Sequence, residues 1–279
     1  MFKLKVENTN EEKWVLLISI NPGAPNGGSG TQYFVGSFDG ERFFAEHNDI
    51  KWIDVGADNY AGITYNNTPN DKRIFIGWMS NWFYGQKAPT KTWRSAMTLP
   101  RELSLIKEEG HYFLRSNVIN SFNKQVSNVL KKDSINLQHT FHLKHQNFNQ
   151  TEIKFITNLS KRIQLEFKNG KDECLVFEIN PSKKEMILDR RRSGLVDFEN
   201  RFADSLHLLP YSVSNKEVDV RIIVDWSSIE LFIDNGKYVM TEQIFPTEFY
   251  NSLEISSVDS ISIKNFDLST IRTIWKNEN

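Results

Sequence analysis

Residues Gly77–Leu103 read GWMSNWFYGQKAPTKTWRSAMTLPREL, and the reading of this stretch decides the fold. It holds Trp78, Trp82 and Trp93, three of the chain's seven tryptophans, with Phe83 and Tyr84 beside Trp82. RIFIGWM, which runs into it, and SAMTL within it are rich in β-branched and aromatic residues and are predicted strands. Between them lies a predicted loop, SNWFYGQKAPTKTWR, with side-chain donors from Asn81, Gln86, Lys91 and Arg94. Aromatic faces beside a few fixed polar groups suit a sugar: the ring stacks its C–H face on an aromatic, and the hydroxyls require directional partners. The competing reading is that the tryptophans fill a β core. Trp78, in an apolar strand, is expected to do so. For Trp82 and Trp93, in polar surroundings, both readings stand.

Outside this stretch the chain continues in short strands. Toward the N-terminus, FKLKV, WVLLISI, TQYFVGSF and RFFAE form one group of four. YAGITY, RIFIGWM, RSAMTL and ELSLI form a second, and four strands over about fifty residues is the content of one propeller blade. NPGAPNGGSG joins two strands rather than a strand to a helix, so it reads as a long hairpin loop and not as a phosphate cradle. EEGHYFLRSNVINSFNKQ is read as a polar connector. Beyond it, alternating segments separated by turn signals every 8–12 residues or so indicate a β-sandwich. The expected layout is therefore two blades over residues 1–108, a connector over 109–120 and a sandwich over 121–279.

Composition narrows the function classes. The 279 residues carry a net charge of −1, which gives no footing for nucleic acid or an anionic surface. A 39% hydrophobic and 25% charged content describes a globular protein, and 13% aromatic residues fits β-rich carbohydrate proteins. One cysteine, Cys174, supports neither an internal disulfide framework nor a cysteine zinc site. No run approaches the roughly 18 apolar residues of a membrane span. Met1–Trp14 has no apolar core of a secretory signal, so the compartment stays open. His139, His142 and His145 cluster, yet no carboxylate pattern accompanies them, and no metal or other cofactor is expected. Gly-x-Ser-x-Gly, the Rossmann fingerprint and the P-loop are all missing.

GWMSNW, PT and WRSAMTLPREL together resemble the last propeller blade of glycoside hydrolase family 32, which contains invertases, levanases and exo-inulinases. SINPGAPNGGSGTQYFVGSFDG is similar to the family's fourth blade, and VDWSSIELFIDNGKYVMTEQIFP to its C-terminal sandwich, with Trp226 where the family usually has Arg. Asp54, Gly56, Asp58, Tyr60 and Ala61 match its Asp-x-Gly-x-Asp and Tyr-Ala segment, and Asn59 is closer to the levanase and exo-inulinase branch. The resemblance implies an all-β chain: the last two blades of a five-bladed β-propeller followed by a C-terminal β-sandwich. It also implies a fructan or sucrose substrate, with Trp82 contacting the fructosyl unit, Asn81 supporting it, and Asp58 and Tyr60 lining the pocket floor.

Retaining glycosidases need two carboxyls about 5–5.5 Å apart. The resemblance places them, with a stabilising Asp, in Asn-Asp-Pro-Asn-Gly, Arg-Asp-Pro and Glu-Cys-Pro. Here Asn48-Asp49 and Asn70-Asp71 lack the proline, no Arg-Asp occurs, and Glu173-Cys174 precedes Leu175 on a strand expected to expose the Glu and bury the Cys. Met1-Phe2 aligns just after Glu-Cys-Pro, so no catalytic residue is expected in this chain, and a separate N-terminal propeller half is the expected partner. A non-catalytic fructan-binding module, or a decayed remnant, is the alternative. LDRRRSG (188–194) also resembles a family segment; its three arginines are read as a solvated turn.

Overall fold

A computed structural model describes residues 1–212 and 217–274. Residues 213–216 and 275–279 of the expected sandwich span lie outside the described residues.

The chain is all-β. The first sheet holds β1 (Phe2–Lys5), β2 (Glu12–Ile20), β3 (Gly30–Phe38), β4 (Phe43–Ala45) and β5 (Lys51–Trp52), ordered β1-β2-β3-β4 with β5 also on β3. The second holds β6 (Tyr60–Thr64), β7 (Arg73–Met79), β8 (Ala96–Met97), β9 (Arg101–Glu108) and β10 (His111–Val118), ordered β10-β9-β7-β6 with β8 on β7. All pairings in both are antiparallel.

β10 corrects the expected connector. His111–Val118 pairs residue for residue with β9 through a two-residue turn, Glu109-Gly110, both at positive φ as a tight hairpin requires. Tyr112, Leu114, Ser116 and Val118 alternate inward, a period of two that the polar residues between them mask. RSAMTL contributes only the two residues of β8, so the sheet's fourth long strand is β10.

The two sheets pack face to face. Phe2, Val15, Tyr33 and Val35 of the first meet Phe75, Leu103, Leu105, Tyr112 and Leu114 of the second in one apolar cluster. Because side chains alternate along a strand, the opposite faces carry the other set. On β2 none of Leu16, Ile18 and Ile20 is buried, and on β6 Ile63 is 66% exposed.

Two six-stranded sheets follow. One runs β11 (Val126–Leu137), β22 (Ile261–Ile271), β13 (Thr151–Asn158), β18 (Glu217–Asp225), β19 (Ser228–Ile233) and β20 (Tyr238–Gln243). The other runs β12 (Thr140–Lys144), β21 (Ser252–Ser256), β14 (Ile163–Lys168), β15 (Cys174–Asn180), β16 (Glu185–Arg192) and β17 (His207–Pro210). Their inner faces share one core that includes Phe155, Leu165, Phe177, Leu188, Ile222 and Leu231. Cys174 starts β15 half-buried and Glu173 is partly covered, so the expected exposed-and-buried pair is softened at this strand end.

β20 is the last strand of its sheet, and its outer edge is covered by the segment after β5. Val55 N–H donates to the Val239 carbonyl (3.0 Å) and Asp58 N–H to the Thr241 carbonyl (3.1 Å). In return the Thr241 and Gln243 N–H groups donate to Asp54 Oδ1 (3.0 Å) and Asp58 Oδ2 (2.9 Å). An open ladder edge is thus closed by two backbone carbonyls of β20 and two carboxylates. A Cβ on Gly56 would lie 2.2 Å from Thr241 N and O, so this position admits only glycine at such an approach.

Candidate functional site

Trp82 is 52% exposed, and its ring centroid lies 5.1 Å from that of Trp78 at a 49° tilt. Tyr60 meets Trp78 edge-on at 6.3 Å. The cross-strand pairing Tyr60↔Trp78 and Trp78↔Met97 sets this group on the open face of the second sheet. Trp78 is therefore not the core residue its apolar strand predicts. β7 buries Phe75, Gly77 and Met79, and the alternation turns Trp78 the other way. Trp93 is 45% exposed on the same loop.

The loop that carries Trp82 is held from below. Tyr84 and Gly85 N–H groups both donate to the Asn81 carbonyl, closing a tight turn. Asn81 is buried: its Nδ2 donates to Gly27 O (3.0 Å) and Ala57 O (2.8 Å), and its Oδ1 accepts from Phe83 N (3.0 Å). Ser29 Oγ accepts from Trp82 N (3.2 Å). The glycine loop between β2 and β3 thus serves as a seat for Asn81; a Cβ on Gly28, at φ +67°, would lie 2.0 Å from Asn81 Oδ1. Asn81 supports Trp82 and presents nothing outward.

Asp58 departs from the expected pocket floor. It is fully buried, and both carboxylate oxygens are engaged: Oδ1 accepts from Tyr84 Oη (2.8 Å), and Oδ2 accepts from Arg190 Nη1 (2.7 Å) and Gln243 N. Arg190, the first arginine of the expected solvated turn, lies on β16 and is 1% exposed. It also pairs with Glu242 Oε2 (2.8 Å) and donates to Tyr84 Oη (2.9 Å) and to the Phe202 and Gln243 carbonyls. Only Arg191 and Arg192 face water. Strict alternation would put Arg190 and Arg192 on one face; a register shift against β15 at this point separates them, and nothing in the sequence marks it.

A second buried arginine, Arg101, donates to Asp54 Oδ2 (2.8 Å), Glu230 Oε2 (2.6 Å) and Thr241 Oγ1 (2.6 Å). His207 Nδ1 lies 2.7 Å from Glu242 Oε1. Burial opposes ionisation of Glu242, yet His207 and Arg190 hold its carboxyl below the usual range. Burial pushes Asp58 up, against the pull of Arg190. Burial also pushes the Tyr84 phenol well up, which keeps it a donor. Asp54, Asp58, Glu230 and Glu242 thus join the sheets to the sandwich and offer no free oxygen to a substrate. Sequence reading missed these partners because they lie 47 to 132 residues from the arginine each meets, with no local spacing to mark them.

Among the described residues no group of three or more His, Cys, Asp or Glu side chains gathers as a metal site would. None of their helices is long and apolar enough to cross a membrane.

Comparison with known proteins matches this geometry to a family. The glycosyl hydrolases family 32 N-terminal domain matches residues 1–116, and the family 32 C-terminal domain matches residues 114–271. A levanase of Bacillus subtilis is 32% identical over 99% of this chain and 42% of its own length. An extracellular exo-inulinase of Aspergillus niger is 33% identical over 99% of this chain and 54% of its own. The crystal structure of an exo-inulinase from Aspergillus awamori superposes with a TM-score of 0.87 at 28% identity, covering 98% of this chain and 56% of that one. The chain spans about half the length of the curated relatives it matches.

Proposed function

The chain belongs to glycoside hydrolase family 32, and on that premise we propose that it is the sugar-gripping half of a retaining β-fructofuranosidase acting on terminal fructosyl units of levan, inulin or sucrose. The observation that carries this is Trp82: a half-exposed indole backed by Trp78 and Tyr60, on a loop locked by buried hydrogen bonds. A furanose C–H face stacks on such a ring without the loop having to order itself on binding. Tyr60 lines the same surface. Asn81 and Asp58 act from behind, holding the turn and the segment beneath it.

In this reading the two sheets are the last two of five blades. Their outward apolar faces, with Ile18 and Ile63 among the exposed residues, are the surfaces that neighbouring blades cover. The partner is a separate N-terminal propeller half, and it brings the nucleophile, the acid/base and the transition-state stabiliser to the fructosyl unit. Support for an external source is that Asp54, Asp58 and Glu242, the carboxylates beneath the aromatic group, are buried and paired. No reacting group of this chain stands within the wall.

Calorimetric titration of the chain with inulin and levan oligosaccharides tests the gripping role. The expected result is millimolar or tighter binding, about −4 kcal/mol or better, abolished by Trp82→Ala. Unchanged binding in that variant would remove the basis of the proposal. The non-catalytic binding module shares the same observation and differs only in what an added N-terminal half does.

A further inference from the structure

We infer that Arg190, from the sandwich, is a positioning residue for the sugar-stacking face of Trp82, so that the sandwich is part of the fructosyl subsite. The inference rests on the proposed role of Trp82 and extends it to a residue on the far side of the domain contact.

Three anchors tie the sandwich to the residues directly after Trp82. First, the Arg190 fork holds Tyr84: Nη2 donates to Tyr84 Oη while Nη1 donates to Asp58 Oδ2, and Tyr84 Oη donates to Asp58 Oδ1. Tyr84, Asp58 and Arg190 therefore close a three-membered ring of charge-assisted bonds, all fully buried. Second, Arg201 Nη2 donates to the Phe83 carbonyl (3.0 Å), with its guanidinium 4.4 Å from the Phe83 ring centroid. Third, Lys87 pairs with Glu199. Phe83, Tyr84 and Ala88 also pack with Val196, Phe198, Phe202 and Phe245 in one small apolar cluster.

Among the described residues Trp82 is held at its backbone by Ser29, and its ring touches Trp78. The turn begun at Asn81 closes on Tyr84 and Gly85. Fixing Tyr84 from the sandwich therefore fixes the direction in which Trp82 leaves the turn. Arg190 is the one anchor whose geometry is rigid: its guanidinium lies 3.9 Å from the Phe202 ring centroid, its Nε donates to the Phe202 carbonyl, and its fork cannot be copied by a point charge.

The test uses the full chain and two independent readouts. The Trp78–Trp82 pair, 5.1 Å apart and tilted, gives an exciton couplet in circular dichroism, and Trp82→Ala identifies it by removing it. Arg190→Met is expected to shrink the couplet and to weaken inulin-oligosaccharide binding about tenfold, about 1.4 kcal/mol. Arg190→Lys, which restores a charge for Asp58 without the fork, is expected to recover the fold and only part of the couplet. If Arg190→Met does not fold, Tyr84→Phe removes the hydroxyl link and leaves Arg190 paired with Asp58; it is expected to reduce couplet and affinity together. A native couplet in folded Arg190→Met, or in Tyr84→Phe, overturns the inference. Native affinity in Trp82→Ala would instead sink the sugar-site reading, and the couplet would still decide the positioning role.

Discussion

Replacing Arg101 by methionine keeps most of the side-chain volume and removes the cation between the sheets and the sandwich. Arg101 is fully buried and paired with Asp54 and Glu230. After the change Asp54 keeps four donors: Gly56 N, Asn59 Nδ2, and Thr241 N and Oγ1. Glu230 keeps one, Leu99 N. The loss therefore falls on Glu230, whose carboxyl burial already pushes up. Breaking a buried pair from one side costs about 3–5 kcal/mol. Glu230 can escape by taking a proton. From an ordinary Glu value of about 4.3, that costs about 3.7 kcal/mol at pH 7 and about 1 kcal/mol at pH 5. The sign follows: the penalty is largest at neutral pH and shrinks as protons become available. Urea unfolding of both proteins at the two pH values should show a deficit of about 3–4 kcal/mol at pH 7, falling by at least half at pH 5. Adding Glu230→Gln should recover much of the neutral-pH deficit. A deficit under about 1 kcal/mol at pH 7, or one that does not change with pH, would refute the reasoning.

Gly56→Ala should pry Val55–Asp58 from the edge of β20, costing about 1–3 kcal/mol or more, and calorimetry should show the melting transition broaden or split as sheets and sandwich uncouple. Leu114→Ala, at 3% exposure between the two sheets, should cost about 2–5 kcal/mol in urea unfolding and establish β10 as an integral strand. Hydrogen bonds from Lys87 and Arg201 lower the Glu199 carboxyl to about 2. A depressed carboxyl adds stability above its unfolded value that disappears as pH falls toward the folded one. Glu199→Gln should therefore be less stable than the native chain at pH 6 and indistinguishable from it near pH 2, as read by urea midpoints.

The strands rich in β-branched and aromatic residues were legible in the sequence. WVLLISI, RIFIGWM and SIELFID lie on β2, β7 and β19, and the shift from the first two sheets to a sandwich was visible in the spacing of turns. β10 was obscured because Arg115 and Asn117, on its outer face, interrupt the apolar residues in sequence, and Ser116 occupies an inward position. The aromatic group was half legible. The polar neighbours of Trp82 left it open between core and surface, and the structure exposes it, whereas the direction of Trp78 depends on which face β7 buries, and that is set by strands elsewhere. Asp58 was placed on the pocket floor by the resemblance, while its local sequence suggested a turn-capping carboxylate. Its true surroundings, Arg190, Tyr84 and Gln243, come from contacts across more than a hundred residues and leave no local pattern, Tyr84 excepted. The three arginines at 190–192 show the same limit, since only the β16 register tells the buried one from the two in water.

The most direct measurement is fructose release from inulin or levan by the purified chain, alone and mixed with a separately produced N-terminal family 32 segment. That segment carries the Asn-Asp-Pro-Asn-Gly, Arg-Asp-Pro and Glu-Cys-Pro motifs. No release from the chain alone, release from the mixture, and its loss when the chain carries Trp82→Ala are the results predicted here. Fructose set free by this chain unaided, or by a mixture indifferent to Trp82, would contradict the division of labour between a wall that grips and carboxylates that cut.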